Sequence, residues 1–78
     1  MTRKKIITAK ELGALIRAVR VAQGLKQVDL ATAAGTGERF IVDLESGKPT
    51  CQLEKSLRVA RMLGIRLEAV APGVSADE

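Results

Sequence analysis

The 78-residue sequence has no histidine, tryptophan or tyrosine, one phenylalanine (Phe40) and one cysteine (Cys51). Without histidine, a His-activated nucleophile and mixed Cys/His zinc sites are both excluded. One cysteine builds no disulfide framework, and an unpaired thiol fits a reducing compartment. A lone aromatic leaves no stacking platform of the kind that holds single-stranded nucleic acid. No apolar run approaches the length that spans a membrane, so no membrane partner is expected. The start, "MTRKKII", is basic, but Lys10, Glu11 and Arg17 interrupt the apolar stretch a secretory signal needs. A cytoplasmic protein is expected.

What is present is positive charge. The net charge is +4 and the pI is about 9.7, a balance that favours polyanionic partners. With single strands disfavoured, duplex DNA is the better nucleic-acid candidate. The length allows one domain, and a domain of this size buries only roughly 60% of the surface its unfolded chain exposes. A core shared between two copies would relieve that shortage, so a homo-oligomer is expected.

Residues 1–7, with Arg3, Lys4 and Lys5, read as a basic arm. "TAKE" from Thr8 to Glu11 is a Thr-x-x-Glu capping box. Leu12, Leu15, Ile16, Val19 and Ala22 follow at helical spacing and predict a helix over 9–23, stopped at Gly24. Leu25 is a hydrophobic staple for a short second helix over 27–34, ended by Gly35. A third helix over 38–46 has Ile41 and Leu44 on its inner side and stops at Gly47. Pro49 keeps Lys48 extended, and Thr50 or Gln52 caps a fourth helix that runs to Gly64. Its expected stripe is Leu53, Leu57, Ala60 and Leu63, flanked by Val59 and Met62.

After Gly64 the period changes. "IRLEAV" alternates, with Ile65, Leu67 and Ala69 on one face, which predicts a strand over 65–71. A lone strand leaves its backbone unpaired. The same strand from a second copy is the natural partner, which makes Ile65, Leu67 and Ala69 the candidate dimerisation residues. Residues 72–78 read as a frayed tail.

"LATAAGTGERFIVDLESGK" joins two short helices by a tight glycine-containing turn. That is a helix-turn-helix, whose second helix lies in the DNA major groove. Ala31 is small enough for a close helix crossing. Gly35 turns the chain through positive φ at little cost. Gly37 can cap the next helix, and Ile41 and Leu44 face inward. Gln27, Ala31, Gly35, Ile41 and Leu44 stand where the lambda repressor-like (XRE-type) helix-turn-helix family has its glutamine, alanine, glycine and two apolar residues. "LES-GK" resembles that family's "IERGK" ending. The resemblance covers about Ile6 to Leu67. A narrower resemblance, carried by "GERFIVDLESGKPT" and "RMLGIRLEAV", is to the HipB-like antitoxins and y4mF-type regulators. It implies an all-α lambda repressor-like domain over 8–64 with a short C-terminal strand that pairs across a homodimer. It also implies a repressor bound to operator DNA, and a HipA-type serine/threonine kinase toxin as partner.

With Ile41 and Leu44 inward, about 100° per residue puts Arg39, Val42, Asp43 and Ser46 on the opposite face, with Glu38 at its exposed end. The candidate base contacts are Glu38, Arg39, Val42 and Asp43. Arg39 carries a fork that matches guanine O6 and N7, and Asp43, one turn on, could hold that fork in place. Alternatively, Glu38 or Asp43 accepts from cytosine N4, while Val42 packs on a thymine methyl group. The candidate backbone contacts are Lys26, Gln27, Phe40, Ser46 and Lys48. Gln27 resembles the family's phosphate- and base-contacting glutamine, at a helix N-terminus that itself favours phosphate. Lys26 departs from the family's threonine or serine cap, exchanging the cap for a cation. Phe40 departs from a small polar residue and either sits at the groove edge or bridges to the neighbouring helix. Glu45 resembles a structural glutamate that pairs with a first-helix arginine, here Arg20.

Other motifs fail. "GTGERF" ends in Phe40 where a nucleotide-binding loop needs its third glycine, and it follows a helix. "SGKPT" lacks the glycine and the Lys-Ser/Thr pair of a phosphate loop. Cys51, near a helix start, has a position where a thiol pKa can fall and allow a redox role; the alternative is a buried, inert thiol. No catalytic residue, metal site or cofactor is expected. The leading expectation is a homodimeric, sequence-specific repressor on a palindromic operator, the autoregulating antitoxin of a HipBA-like module. The alternatives are a stand-alone phage-type regulator, or a protein-interaction module acting through Lys55, Arg58 and Arg61 with weak DNA binding.

Overall fold

A computed structural model describes residues 3–73 of the chain. The architecture is four helices: α1 (Ala9–Ala22), α2 (Gln27–Ala34), α3 (Glu38–Ser46) and α4 (Leu53–Met62). The all-α expectation holds, and the helix boundaries fall within two residues of those read from the pattern.

Local chemistry sets each start and stop. Thr8 Oγ1 accepts the Glu11 N–H at 3.1 Å, and Glu11 accepts the N–H groups of Ile7 and Thr8 at 2.9 Å each, which completes the expected capping box. Those two backbone donors, foremost Ile7, hold the Glu11 carboxyl below the usual range. At α2 only half of such a box forms. Asp29 accepts the Lys26 N–H at 2.9 Å, while lysine has no acceptor to return. Leu25 packs against the core as the staple requires. Gly35 closes α2 at φ +70°, Gly37 is the N-cap of α3, and Gly47 closes α3 at φ +87°.

The core is Ile16 of α1, Leu30, Ala31 and Ala34 of α2, Ile41 and Leu44 of α3, and Val59, Ala60 and Leu63 at α4. α3 sits between α1 and α2, and α2 also packs on α4. The buried face of α4 is rotated from the expected stripe: Ser56, Val59, Ala60 and Leu63 lie inside, while Leu53 is 70% exposed. Ser56 tolerates burial because its hydroxyl donates to the Gln52 carbonyl at 2.8 Å. Val59, expected at the flank, has no exposed surface.

Among the described residues, 65–70 have no ladder partner and no strand is present. Ile65 turns in against the core, whereas Leu67 and Ala69 are exposed. Of the expected tail, residues 74–78 lie outside the described residues, as do residues 1 and 2 of the arm.

Two glycines let α1 and the end of α3 meet backbone to backbone. A Cβ on Gly13 would collide with the Leu44 carbonyl oxygen and lie 3.0 Å from that of Glu45. A Cβ on Gly47 would lie 2.8 Å from Lys10 Cα. Helix propensity alone says that Gly13→Ala stabilises by about 1 kcal/mol. The contact reverses the sign: we expect Gly13→Ala to cost about 1–3 kcal/mol, as overpacking does. Thermal denaturation followed by circular dichroism checks this, and an unchanged or raised melting temperature would refute it.

Candidate nucleic-acid interface

The interface is built on a buried ion pair. Arg20, in the last turn of α1, donates from Nε and Nη2 to the two carboxylate oxygens of Glu45 at 2.6 and 3.0 Å. Its Nη1 donates to the Leu25 carbonyl at 2.7 Å, on the approach to α2. Gln27, the first residue of α2, donates from Nε2 to Glu45 Oε1 at 3.1 Å. The Glu45 side chain is 3% exposed and that of Arg20 10%. The hydrogen bond to Glu45 raises the Arg20 pKa further, against the opposing effect of burial. The expected Arg20–Glu45 pair is therefore present, and it ties α1, the start of α2 and the end of α3 together.

The amide of Gln27 is consequently oriented. An ionised carboxylate can only accept, so Nε2 must face Glu45. Nothing in the residue spacing announced this third member of the cluster.

The outer face of α3 carries the expected readers. Glu38 and Arg39 are exposed, the Arg39 side chain 83% so. Arg39 Nη2 lies 3.1 Å from Asp43 Oδ1, the i,i+4 pairing anticipated for the fork. Asp43 Oδ2 lies 3.5 Å from Lys48 Nζ. Val42 is half-buried, and Ser46 is exposed with its hydroxyl donating to the Asp43 carbonyl at 2.8 Å. Lys26 is exposed at the α2 N-terminus.

Phe40 takes the second of its two alternatives. It packs against the core and meets α4, with Lys55 Nζ 5.9 Å from its ring centroid. Lys55 is thereby partly engaged in a cation–π contact. Cys51 takes the second of its two readings, burial without activation. The thiol is half-buried against the core, and burial, followed by the charge of Asp43, pushes its pKa up; Lys48 acts in the opposite sense. Proximity to the start of α4 does not outweigh these effects.

Two helices joined by a glycine turn, with a charged outer face on the second and a buried pair fixing the angle between them, can enter a major groove as one rigid element. A helix-turn-helix domain family matches residues 11–72. The chain belongs to the helix-turn-helix family. An uncharacterised HTH-type transcriptional regulator, y4mF, of Sinorhizobium fredii is 53% identical over 70 residues, covering 90% of this chain and 92% of that protein. The ImmF control region 10 kDa protein of Bacillus phage phi105 is 29% identical over 65 residues, covering 83% of this chain and 72% of that protein. Among solved structures, the HipB–O4 20mer complex and the HipA–HipB–O2–O3 complex superpose with TM-scores of 0.80 and 0.81. Each is 20% identical and covers 90% of this chain and 99% of the matched chain. This helix-turn-helix chain thus shares the HipB fold and is related in sequence to a transcriptional regulator.

Breaking the buried pair should destabilise the helix-turn-helix. Removing one partner of such a pair leaves an uncompensated charge and costs about 3–5 kcal/mol. A domain of this length has roughly 4–12 kcal/mol of stability in all. Glu45→Gln is therefore expected to lower the urea midpoint sharply, and a midpoint shift worth under about 1 kcal/mol would refute the central role assigned to the pair.

Proposed function

We propose that the protein is a homodimeric, sequence-specific DNA-binding repressor, and that it serves as the autoregulating antitoxin of a HipBA-like module in the cytoplasm. The observation that carries DNA recognition is the outer face of α3, where Arg39 stands exposed beside a half-buried Asp43 on a helix braced from behind by Arg20 and Glu45. Arg39 supplies the bidentate match to guanine, with Glu38 and Val42 beside it. Lys26, Gln27, Ser46 and Lys48 surround that face as backbone contacts. Phosphate neutralisation by the lysines makes binding fall with salt.

The dimer rests on the C-terminal segment. Leu67 is 41% exposed and Val70 fully exposed, and residues 65–70 have no ladder partner among the described residues. Pairing this segment with its copy satisfies both deficits. A two-fold dimer then presents its two α3 helices to successive major grooves about 34 Å apart, so the operator is palindromic. The antitoxin role draws support from the HipB fold and from HipB being solved together with HipA. A stand-alone phage-type regulator is the second reading, favoured by the relative from Bacillus phage phi105. Capture of a HipA-like kinase by the tagged protein separates the two.

The test of DNA recognition is a fluorescence-anisotropy titration against duplex DNA from upstream of the protein's own gene, beside a scrambled duplex, at two salt concentrations. Clear preference for its own DNA is expected, with affinity falling as salt rises. Arg39→Ala should cost about 1–3 kcal/mol and relax preference at one base pair. Equal losses on both duplexes would sink the assignment of Arg39 as a base reader.

A further inference from the structure

The carboxylate of Asp43 stands between two cations of the α3 face. Its Oδ1 lies 3.1 Å from Arg39 Nη2 and its Oδ2 lies 3.5 Å from Lys48 Nζ. The side chain is only 18% exposed, against 83% for Arg39 and 52% for Lys48. The backbone builds this arrangement independently of the side chains. The Lys48 N–H donates to the Asp43 carbonyl at 3.0 Å and the Gly47 N–H to the Leu44 carbonyl at 3.1 Å. That pair of bonds is the glycine-dependent reversal that ends a helix, and it folds Lys48 back over Asp43.

We infer that Asp43 is a positioning residue for DNA recognition: it reads no base, but holds the Arg39 fork for a base and the Lys48 ammonium for the adjacent backbone. This rests on the reading of α3 as the base-reading helix. Each Asp43 oxygen already has a cation. Accepting from cytosine N4 would mean giving up one of them, so of the two roles open to Asp43 the geometry favours the positioning one. An arginine with a highly exposed side chain loses rotamer freedom when it docks, and a carboxylate one turn away removes part of that freedom beforehand. The same carboxylate partly neutralises Arg39 and Lys48 and repels phosphate. It therefore weakens binding to arbitrary DNA while aiding binding to the right sequence.

The experiment compares the unaltered protein with Asp43→Asn, Arg39→Ala and the double variant. Each is titrated by anisotropy against the upstream duplex, a panel of single-base-pair substitutions of it, and the scrambled duplex. Asparagine keeps the shape and removes the charge, and circular dichroism confirms that each variant folds. Asp43→Asn is expected to relax preference at the same base pair as Arg39→Ala, by on the order of ten-fold. It is also expected to bind the scrambled duplex more tightly. The double variant should discriminate no worse than Arg39→Ala alone, since the two residues act as one unit. Loss of preference at a different base pair, or additive losses in the double variant, would overturn the proposal while leaving α3 as the base-reading helix. If the unaltered protein itself binds both duplexes equally, the base-reading assignment falls, and the positioning role falls with it.

Discussion

The contact between Arg20 and Glu45 is the constraint on which the arrangement of the other elements depends. Three of the four helices have a stake in it. Arg20 belongs to α1, Glu45 to α3, and the guanidinium and carboxylate left over after pairing reach the Leu25 carbonyl and the Gln27 amide at the entrance to α2. Burying such a pair carries a desolvation cost that apolar side chains would avoid. Its return is geometric. An apolar contact tolerates sliding, whereas hydrogen bonds near 3 Å to fixed partners allow one register. The core behind it is small: among the described residues, its large side chains with almost no exposed surface are Ile16, Leu30, Ile41 and Val59. A core of that size supplies cohesion, and the ion pair fixes how α2 and α3 cross.

Much of this was legible in the sequence because its signals are local. A capping box, a staple and glycines that end helices act within a few residues, so Thr8, Leu25 and Gly35 could be read without knowing the fold. Arg39 and Asp43 are four residues apart on one helix, and their pairing follows from helical geometry. The Arg20–Glu45 pair spans 25 positions and came only from the family resemblance. The failures share a cause. Leu53, expected on the stripe of α4, is exposed because the buried side of α4 depends on the elements packed against it; Ser56 lies inside and supplies its own hydrogen bond within the helix. Gly13 looks like an unfavourable residue in the middle of a helix. Its value appears only once the Leu44 carbonyl arrives from α3. Gln27 was placed correctly at the head of α2, but its engagement by Glu45 is a tertiary fact.

If α3 faces DNA as proposed, its charges give a reason for a basic chain to carry acids there. Net charge governs approach to any duplex, and it acts on all sequences alike. Discrimination needs terms that differ between sequences. Glu38 stands exposed at the entrance of the face and Asp43 is sunk within it. On that reading both oppose the general attraction, and a wrong sequence would desolvate them with nothing to offset the cost. The right sequence would meet an arginine already paired with Asp43. On the proposed reading, affinity rests on Lys26 and Lys48 beside α3, and specificity on residues within that nine-residue helix.

The C-terminal segment connects this local chemistry to the length of DNA that the proposed dimer would cover. A single copy leaves Leu67 and Val70 exposed, together with Met62 at the end of α4 and the side of α4 that carries Leu57 and Arg61. Ile65 is anchored to the core, so the segment leaves the domain in a fixed direction. If two such segments pair, the orientation of each domain about the two-fold axis is inherited from that anchor. The distance between the two α3 helices is then set by Ile65 and the turn at Gly64, far from any base. A substitution that loosened this anchor would leave the α3 face intact and still misplace one half-site relative to the other. In this arrangement the element that completes a marginal core is also the one that measures the operator, which ties the stability of the proposed dimer to its choice of DNA.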